Sequence, residues 1–463
     1  MSDAAAKPSR AGRWLGTVAL AALLGFSWLP QSYYCMVSWP WLALWQLGFA
    51  AAMLALLVML RQFRVPFQRL GYGLDWAVGV IAVALALTTG LAAFPGVAAW
   101  NVALALSYGV LLYGGCNWLR QSQLSVQRLG IGIVTAGAIS ALIAFAVSLA
   151  NQNGLQLDGL SPFSNPNFAA GYFVLLLPLS LAAAVTASGR ARVLGVLGSA
   201  LLAAALYTTG SRGGLLGLGV LLVAAVAIAI GRSRGRQRQR WLAGAAAALV
   251  ALLGVAASNP AIRGWIYHPQ DAGPRWELRL DRSSQNRLYM WQAGLNIARD
   301  RPLAGVGPGN LSRTYNRYRP VAAGLENYSV QQLHNMPLQL LAELGGLGLG
   351  AYAGLLGTLM RLGWRLDRAL RHHRDRVWLY GAGGGLFAYT VASLTDYQLE
   401  SIRISGALLA LVVLLVGLAD RHLGSPASLA LLQRQRRWLT SAALRPCCWS
   451  CCLSGGRPVR PCT

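Results

Sequence analysis

Apolar runs of about 18 to 22 residues recur along this chain, separated by short polar connections, and runs of that length match the hydrocarbon thickness of a bilayer. Inside that layer every backbone N–H and C=O must be satisfied within its own segment, so the runs fold as transmembrane α-helices. Composition agrees: 55% of residues are hydrophobic, only 12% are charged, and mean hydropathy is +0.47, which excludes an ordinary soluble protein. The runs lie at 12–30, 39–60, 75–92, 97–119, 129–150, 168–187, 192–209, 214–230, 241–257, 336–360, 377–395 and 404–421. The expected fold is an all-α polytopic membrane protein with about 12 transmembrane helices. Lys7 to Trp28 has the basic flank and apolar run of a signal peptide. No small-residue cleavage site follows Pro30, where Tyr33 and Tyr34 stand, so the stretch reads as an uncleaved first span. No internal repeat and no soluble domain is visible.

A formal charge of +26 would point to nucleic acid in a soluble protein. Here the cations sit between apolar runs, where topology and anionic lipid account for most of them. Every second connection is basic: Arg61, Arg64 and Arg69; Arg120 and Arg128; Arg190 and Arg192; Arg232 to Arg240; Arg361 to Arg376. The connections around Gln31, Phe94 and Asp158 carry no Lys or Arg. The alternation predicts cytoplasmic termini and a periplasmic His334. It divides the chain into helices 1–9 (residues 1–257), a large periplasmic loop with short amphipathic helices (258–335), helices 10–12 (336–422) and a disordered cytoplasmic tail (423–463).

Three places break the charge rule. Arg212 follows Thr209-Gly210-Ser211 on the outer side, the segment from Ser258 to Leu333 carries ten Arg against five acidic residues, and Arg403 stands beside Asp396 and Glu400. Ser211 or Gly210 is placed to cap the eighth span. Arg212 then falls in a first turn, where unpaired N–H groups and the helix dipole favour an anion. Gly213 and Gly214 remove bulk beside it. In the loop, Asn286 reads as a cap with Arg287 in the first turn behind it. Leu288, Trp291, Leu295 and Ala298 form one apolar face, which is expected to rest on the bilayer surface or on the bundle. Two helix N-termini each carrying an Arg suit a phosphate or diphosphate.

His334-Asn335 closes the loop, and nine residues later Gly345-Gly346-Leu347-Gly348 opens inside an apolar run. An ionisable group at a membrane boundary is a candidate functional residue. At 3.6 residues per turn, Gly345 and Gly348 fall on the face of His334, where small residues would let a neighbouring helix approach and fix the imidazole. Asn335 and Pro337 suit the entry turn.

Other polar features have simpler readings. The remaining loop arginines, Arg263, Arg275, Arg279, Arg282, Arg313, Arg317 and Arg319, suit solvent or headgroups, and the loop's Trp and Tyr residues mark the interface. Asn165-Pro166-Asn167 reads as a turn and cap, and Gly307-Pro308-Gly309-Asn310 as a tight turn. Cys447, Cys448, Cys451 and Cys452 fit no zinc module and read as a disordered or acylated tail. His372-His373 reads as a solvated face.

His334-Asn335, nine residues and Gly345-x-x-Gly348 resemble the H-[N/S/Q]-x9-G-x-x-G pattern of the O-antigen ligase and Wzy-type polymerase superfamily. The resemblance extends to the Ser164-Asn165-Pro166-Asn167 entry, the Ser211-Arg212-Gly213-Gly214 turn, Asn286-Arg287 and the Arg301 to Asn310 stretch. It implies a multi-pass bacterial inner-membrane enzyme with a large outer loop. Such an enzyme would move a glycan from a polyprenyl (undecaprenyl) diphosphate donor to an acceptor on the periplasmic face, as in lipopolysaccharide synthesis. By the same resemblance Arg212 and Arg287 would bind the donor diphosphate, His334 would assist acceptor attack, Asn335, Gly345 and Gly348 would be structural, and no metal or other cofactor is expected. Expected partners are the lipid-linked glycan, a lipid, glycan or protein acceptor, and membrane lipid, with no nucleic acid. A polysaccharide polymerase or a protein O-oligosaccharyltransferase would use the same residues. A bicarbonate or other anion transporter is the rival from a different class. Carriers usually show midplane ionisable residues or broken-helix repeats, whereas the polar groups here concentrate at the outer surface.

Overall fold

In the computed structural model, the description covers residues 68–122, 124–155, 163, 165–259, 282–324 and 330–424. The runs at 12–30 and 39–60, Ser164, His268, Cys447, Cys448, Cys451 and Cys452 lie outside the described residues. The described chain is helical: α1 (Leu74–Gly90), α2 (Pro95–Gln121), α3 (Val126–Gln152), α4 (Pro166–Thr186), α5 (Gly189–Thr209), α6 (Arg212–Arg232) and α7 (Gly235–Ser258). Further along the chain come α8 (Arg282–Asp300), α9 (Leu311–Tyr318), α10 (Met336–Ala369), α11 (Asp375–Ala392) and α12 (Ile402–Leu423).

By length and composition seven of the described helices can cross a membrane: α2 to α6, α10 and α12, with α1 a shorter apolar helix. The runs at 241–257 and 377–395 form helices, α7 and α11, and α11 does not meet that measure. In α11 glycine stands where lipid would favour larger apolar side chains, because this helix faces protein: it packs on α4, α6 and α12.

The centre of the bundle is α4. In its apolar window 72% of residues are buried, against 11% in α6, so α4 is surrounded by protein while α6 lies at the periphery. Gly381 and Gly385, one turn apart on α11, bring that helix onto the α4 backbone. A Cβ at Gly385 would collide with the Leu175 carbonyl, and one at Gly381 would meet the Leu179 Cα at 3.0 Å. Gly213 and Gly217 do the same for α6 against α11: a Cβ at either would collide with Thr395 Oγ1 or close to 2.5 Å on the Ala388 carbonyl. These contacts hold Arg212 against the α11–α12 connection.

The 34-residue α10 is broken. Gly345 has φ 61° and ψ −161°, a region essentially reserved for glycine, and splits the helix into a short N-terminal piece and a long C-terminal one. The groups freed by the break are taken up by residues 302–307. Val306 N–H donates to the Ala342 carbonyl at 3.0 Å and Gly307 N–H to the Glu343 carbonyl at 2.8 Å. Gly346 N–H donates to the Pro302 carbonyl at 2.7 Å and Leu347 N–H to the Leu303 carbonyl at 3.2 Å. A Cβ at Gly345 would collide with the Leu303 carbonyl. This corrects the expectation that His334, Gly345 and Gly348 share one face of a regular helix against a neighbouring helix. Helical periodicity presumes unbroken φ/ψ, and Gly345 instead admits a loop into the helix. It also corrects the picture of polar groups confined to the outer surface, because Glu343 is buried at the break, 5% exposed. Its Oε1 accepts from Leu311 N–H at 3.3 Å, holding the start of α9.

The segment between α7 and α10 has a small apolar core of its own. Ala293 and Ile297 of α8 pack with Val306, Leu311, Tyr315, Val330, Leu333 and Ala342. The face of α8 that packs on this core is Met290, Ala293 and Ile297, while Leu288 and Leu295 of the apolar face read from the sequence are exposed and do not pack on it. Both sets fit a 3.6 period, and the choice between them is made by residues 302–342, which the α8 sequence does not contain.

Candidate functional site

His334 stands at the entry to α10 with φ 49°, a left-handed conformation unusual for a residue with a side chain. Its neighbours over-determine that geometry. Leu333 N–H donates to Gln339 Oε1 (2.8 Å) and its carbonyl accepts from Trp291 Nε1 (2.9 Å). Asn335 caps α10 by accepting from Leu338 N–H (3.0 Å) and donates to the Leu394 carbonyl (2.9 Å), while Met336 N–H donates to the Ser393 carbonyl (2.9 Å). Strain held this firmly belongs to sites where one side-chain direction matters.

The direction is set by Asp396. Its Oδ1 lies 2.8 Å from His334 Nδ1, and the aspartate side chain is 4% exposed against 26% for the imidazole. Asp396 is itself fixed by Tyr397 N–H at 2.9 Å and by Gln398 Nε2 at 3.4 Å. A carboxylate accepts, so Nδ1 donates, and in the neutral ring this tautomer puts the lone pair on Nε2. Among the described residues Nε2 has no hydrogen-bond partner. The result is an imidazole mounted from behind, with Nε2 turned away from the carboxylate.

Arg287 and Arg212 reach the same place. Arg287 donates to the Thr395 carbonyl at 3.0 Å, one residue before Asp396. Arg212 donates to Ser284 Oγ at 3.3 Å, and Ser284 lies one turn before Arg287 on the same face of α8. Ser211 caps α6 by accepting from Gly214 N–H at 3.4 Å, which puts Arg212 in the first turn. The α8 helix differs from expectation: it begins at Arg282, so Asn286 is not its cap and Arg287 sits inside the helix. The arginine there is positioned by the Thr395 carbonyl and owes little to a helix end.

Three capped helix starts meet here as well. Asn165 caps α4 by accepting from Asn167 N–H at 2.8 Å, and Ser211 Oγ donates to Asn167 Oδ1 at 2.9 Å. Gln398 Nε2 donates to the Asn167 carbonyl at 2.7 Å, tying in the α11–α12 connection. The positive ends of α4, α6 and α10 thus add to two guanidiniums. Arg403, 4% exposed in the first turn of α12, lies over the Phe163 ring at 5.4 Å. In the same connection burial pushes the Glu400 carboxyl up to about 7 and the Tyr397 hydroxyl well above its ordinary value.

The structure therefore brings His334, Arg212 and Arg287 around residues 393–398, with Asn335 as the cap of α10. Gly345 and Gly348 lie further along α10, at the break. Sequence reasoning missed Asp396 as the partner of His334, and Ser284 and Thr395 as the partners of the arginines. A signal existed: Thr395-Asp396-Tyr397-Gln398-Leu399-Glu400 is a polar, acidic connection between two apolar runs. Among the described residues, the His, Cys, Asp and Glu group with metal-ligand spacing is His373, Asp375 and His422, at the other end of α11.

Residues 197–353 match the family model for O-antigen ligase. The match places this segment in the O-antigen ligase and Wzy-type superfamily. It spans Arg212, Arg287, His334, Asn335, Gly345 and Gly348, and stops short of Asp396. No curated protein matches the chain. An O-antigen ligase match implies a glycosyl-transferring enzyme, and the apolar helices agree with a multi-pass membrane protein.

Proposed function

We propose that the chain transfers a glycan from a polyprenyl-diphosphate donor to an acceptor hydroxyl at the periplasmic membrane surface. The observation that carries this reading is the meeting of Arg212, Arg287 and the His334–Asp396 pair around residues 395–396. The acceptor O–H gives its proton to His334 Nε2 as its oxygen attacks the anomeric carbon. The bond from that carbon to the diphosphate breaks, and the lipid diphosphate leaves with the electron pair. Negative charge grows on the leaving group, where fixed guanidiniums and helix N-termini stabilise it more in the transition state than in the ground state. Asp396 keeps Nε2 unprotonated and stabilises the imidazolium that forms. Positioned general-base catalysis of this kind contributes roughly 10²–10⁴-fold in rate.

The test is a reconstituted assay with purified protein, a lipid-linked oligosaccharide and candidate acceptors, followed by identification of the product. His334→Ala should lower the rate by roughly 10²–10⁴-fold. Arg212→Ala and Arg287→Ala should each also weaken donor binding, because both guanidiniums would touch the diphosphate before and during the reaction. Full activity of His334→Ala would falsify the assignment of the base. Accumulation of lipid-linked glycan in a deletion strain supports transfer, whereas unchanged glycans with altered anion uptake would favour a carrier.

A further inference from the structure

We infer that His373, Asp375 and His422 form a divalent-cation site of the zinc class at the end of the bundle opposite His334. His373 and Asp375 stand at the entry to α11 and His422 in the last turn of α12, so the ligands come from two helices distant in sequence. The candidate ligand atoms all lie within 4.8 Å of one another. His422 Nε2 is 2.9 Å and His373 Nδ1 is 3.6 Å from Asp375 Oδ2. Ligand atoms around tetrahedral zinc stand about 3.4 Å apart at the usual bond lengths, so these two separations bracket the required edge.

The hydrogen-bond pattern says what the space suits. Asp375 N–H donates to His373 Nδ1 at 3.0 Å, so the lone pair of that nitrogen is held by the amide and must turn from it for an ion to bind. The same nitrogen stands 3.6 Å from Asp375 Oδ2, which leaves that turn short. Arg421 supplies a positive charge at 3.5 Å from the same oxygen, but its side chain is 41% exposed and its contact is long. It is a replaceable counter-ion that would compete with a metal. The second shell is in place: Gln127 Nε2 donates to Asp375 Oδ1, fixing the carboxylate from α3 and leaving Oδ2 toward the imidazoles. Two imidazoles and one carboxylate suit zinc and related borderline cations, with a water completing the shell. The bound ion would staple the start of α11 to the end of α12.

The experiment titrates Co²⁺ into the detergent-purified full chain, follows the visible ligand-field band and then displaces it with Zn²⁺. The five tail cysteines, Cys447, Cys448, Cys451, Cys452 and Cys462, are replaced by Ser throughout, so that tail thiolates cannot supply the site. One Co²⁺ per chain is expected, with affinity at least about 10-fold lower in His373→Ala and in His422→Ala. Arg421→Gln should bind Co²⁺ several-fold more tightly, a gain that misfolding would not produce. Absence of binding in the chain with the tail cysteines replaced, or binding that both histidine variants leave unchanged, overturns the proposal.

Discussion

At the end of the bundle around Asp420, carboxylates are closed against guanidiniums. Arg120 meets Asp420 through two nitrogens at 2.7 and 3.2 Å with both side chains about a tenth exposed, Tyr72 Oη donates to the same carboxylate, and Arg376 pairs with Asp367 at 2.9 Å. Around His334, Arg212 donates to Ser284 Oγ, Arg287 donates to the Thr395 carbonyl, and Asp396 pairs with an imidazole. At the first end the cations are paired with acids of the bundle. At the second, two guanidiniums and an imidazole converge on one connection.

The sharpest way to break that contrast is Asp396→Asn. The amide turns an NH₂ toward Nδ1, which moves the imidazole proton to Nε2 and removes the lone pair that faces outward. The rate of transfer should fall by roughly 10²-fold or more, with the thermal denaturation midpoint close to wild type. A variant that transfers at the wild-type rate would show that Asp396 only packs beside the histidine. At the opposite end, Arg120→Ala leaves Asp420 buried without its charge partner, and about 3 kcal/mol of stability should be lost. Donor KM measured on the folded fraction should stay unchanged. A change in KM with no loss of stability would erase the distinction between the two ends.

The sequence exposes the parts of this contrast that depend on local periodicity and capping. Ser211 before Arg212 and Asn335 before Pro337 are cap signals that a single turn can decide, and both cap in the structure. The apolar runs become helices because bilayer-length segments have few other ways to satisfy their backbones. What stays hidden is decided at long range. Asp396 lies 62 positions from His334, and only the α11–α12 connection folding back over α10 brings them together. The break at Gly345 depends on residues 302–307 finding the freed carbonyls and amides, and glycine in an apolar run reads equally well as a packing residue. The face of α8 was ambiguous for a related reason: its length and period are local, but its orientation belongs to the core it joins.

A smaller effect sharpens the comparison through pH. Glu400, in the α11–α12 connection, has Gln332 as a hydrogen-bonding partner, and burial pushes its carboxyl up to about 7. In the unfolded chain a glutamate titrates near about 4.3. Between those values the folded state holds a proton that the unfolded state has released. The stabilisation from this group is therefore fully present below the unfolded value and is lost as pH rises through about 7. Thermal denaturation of the wild type, followed from about pH 5 to about pH 8, should show a midpoint that declines over this interval. Glu400→Gln should flatten the decline, because the amide resembles the protonated acid and does not titrate. Arg120→Ala, at the end where the carboxylate has its cation, should lower the whole curve without removing that slope. If Glu400→Gln keeps the wild-type slope, the decline belongs to another group, and the outer connection holds its acids as securely as the opposite end does.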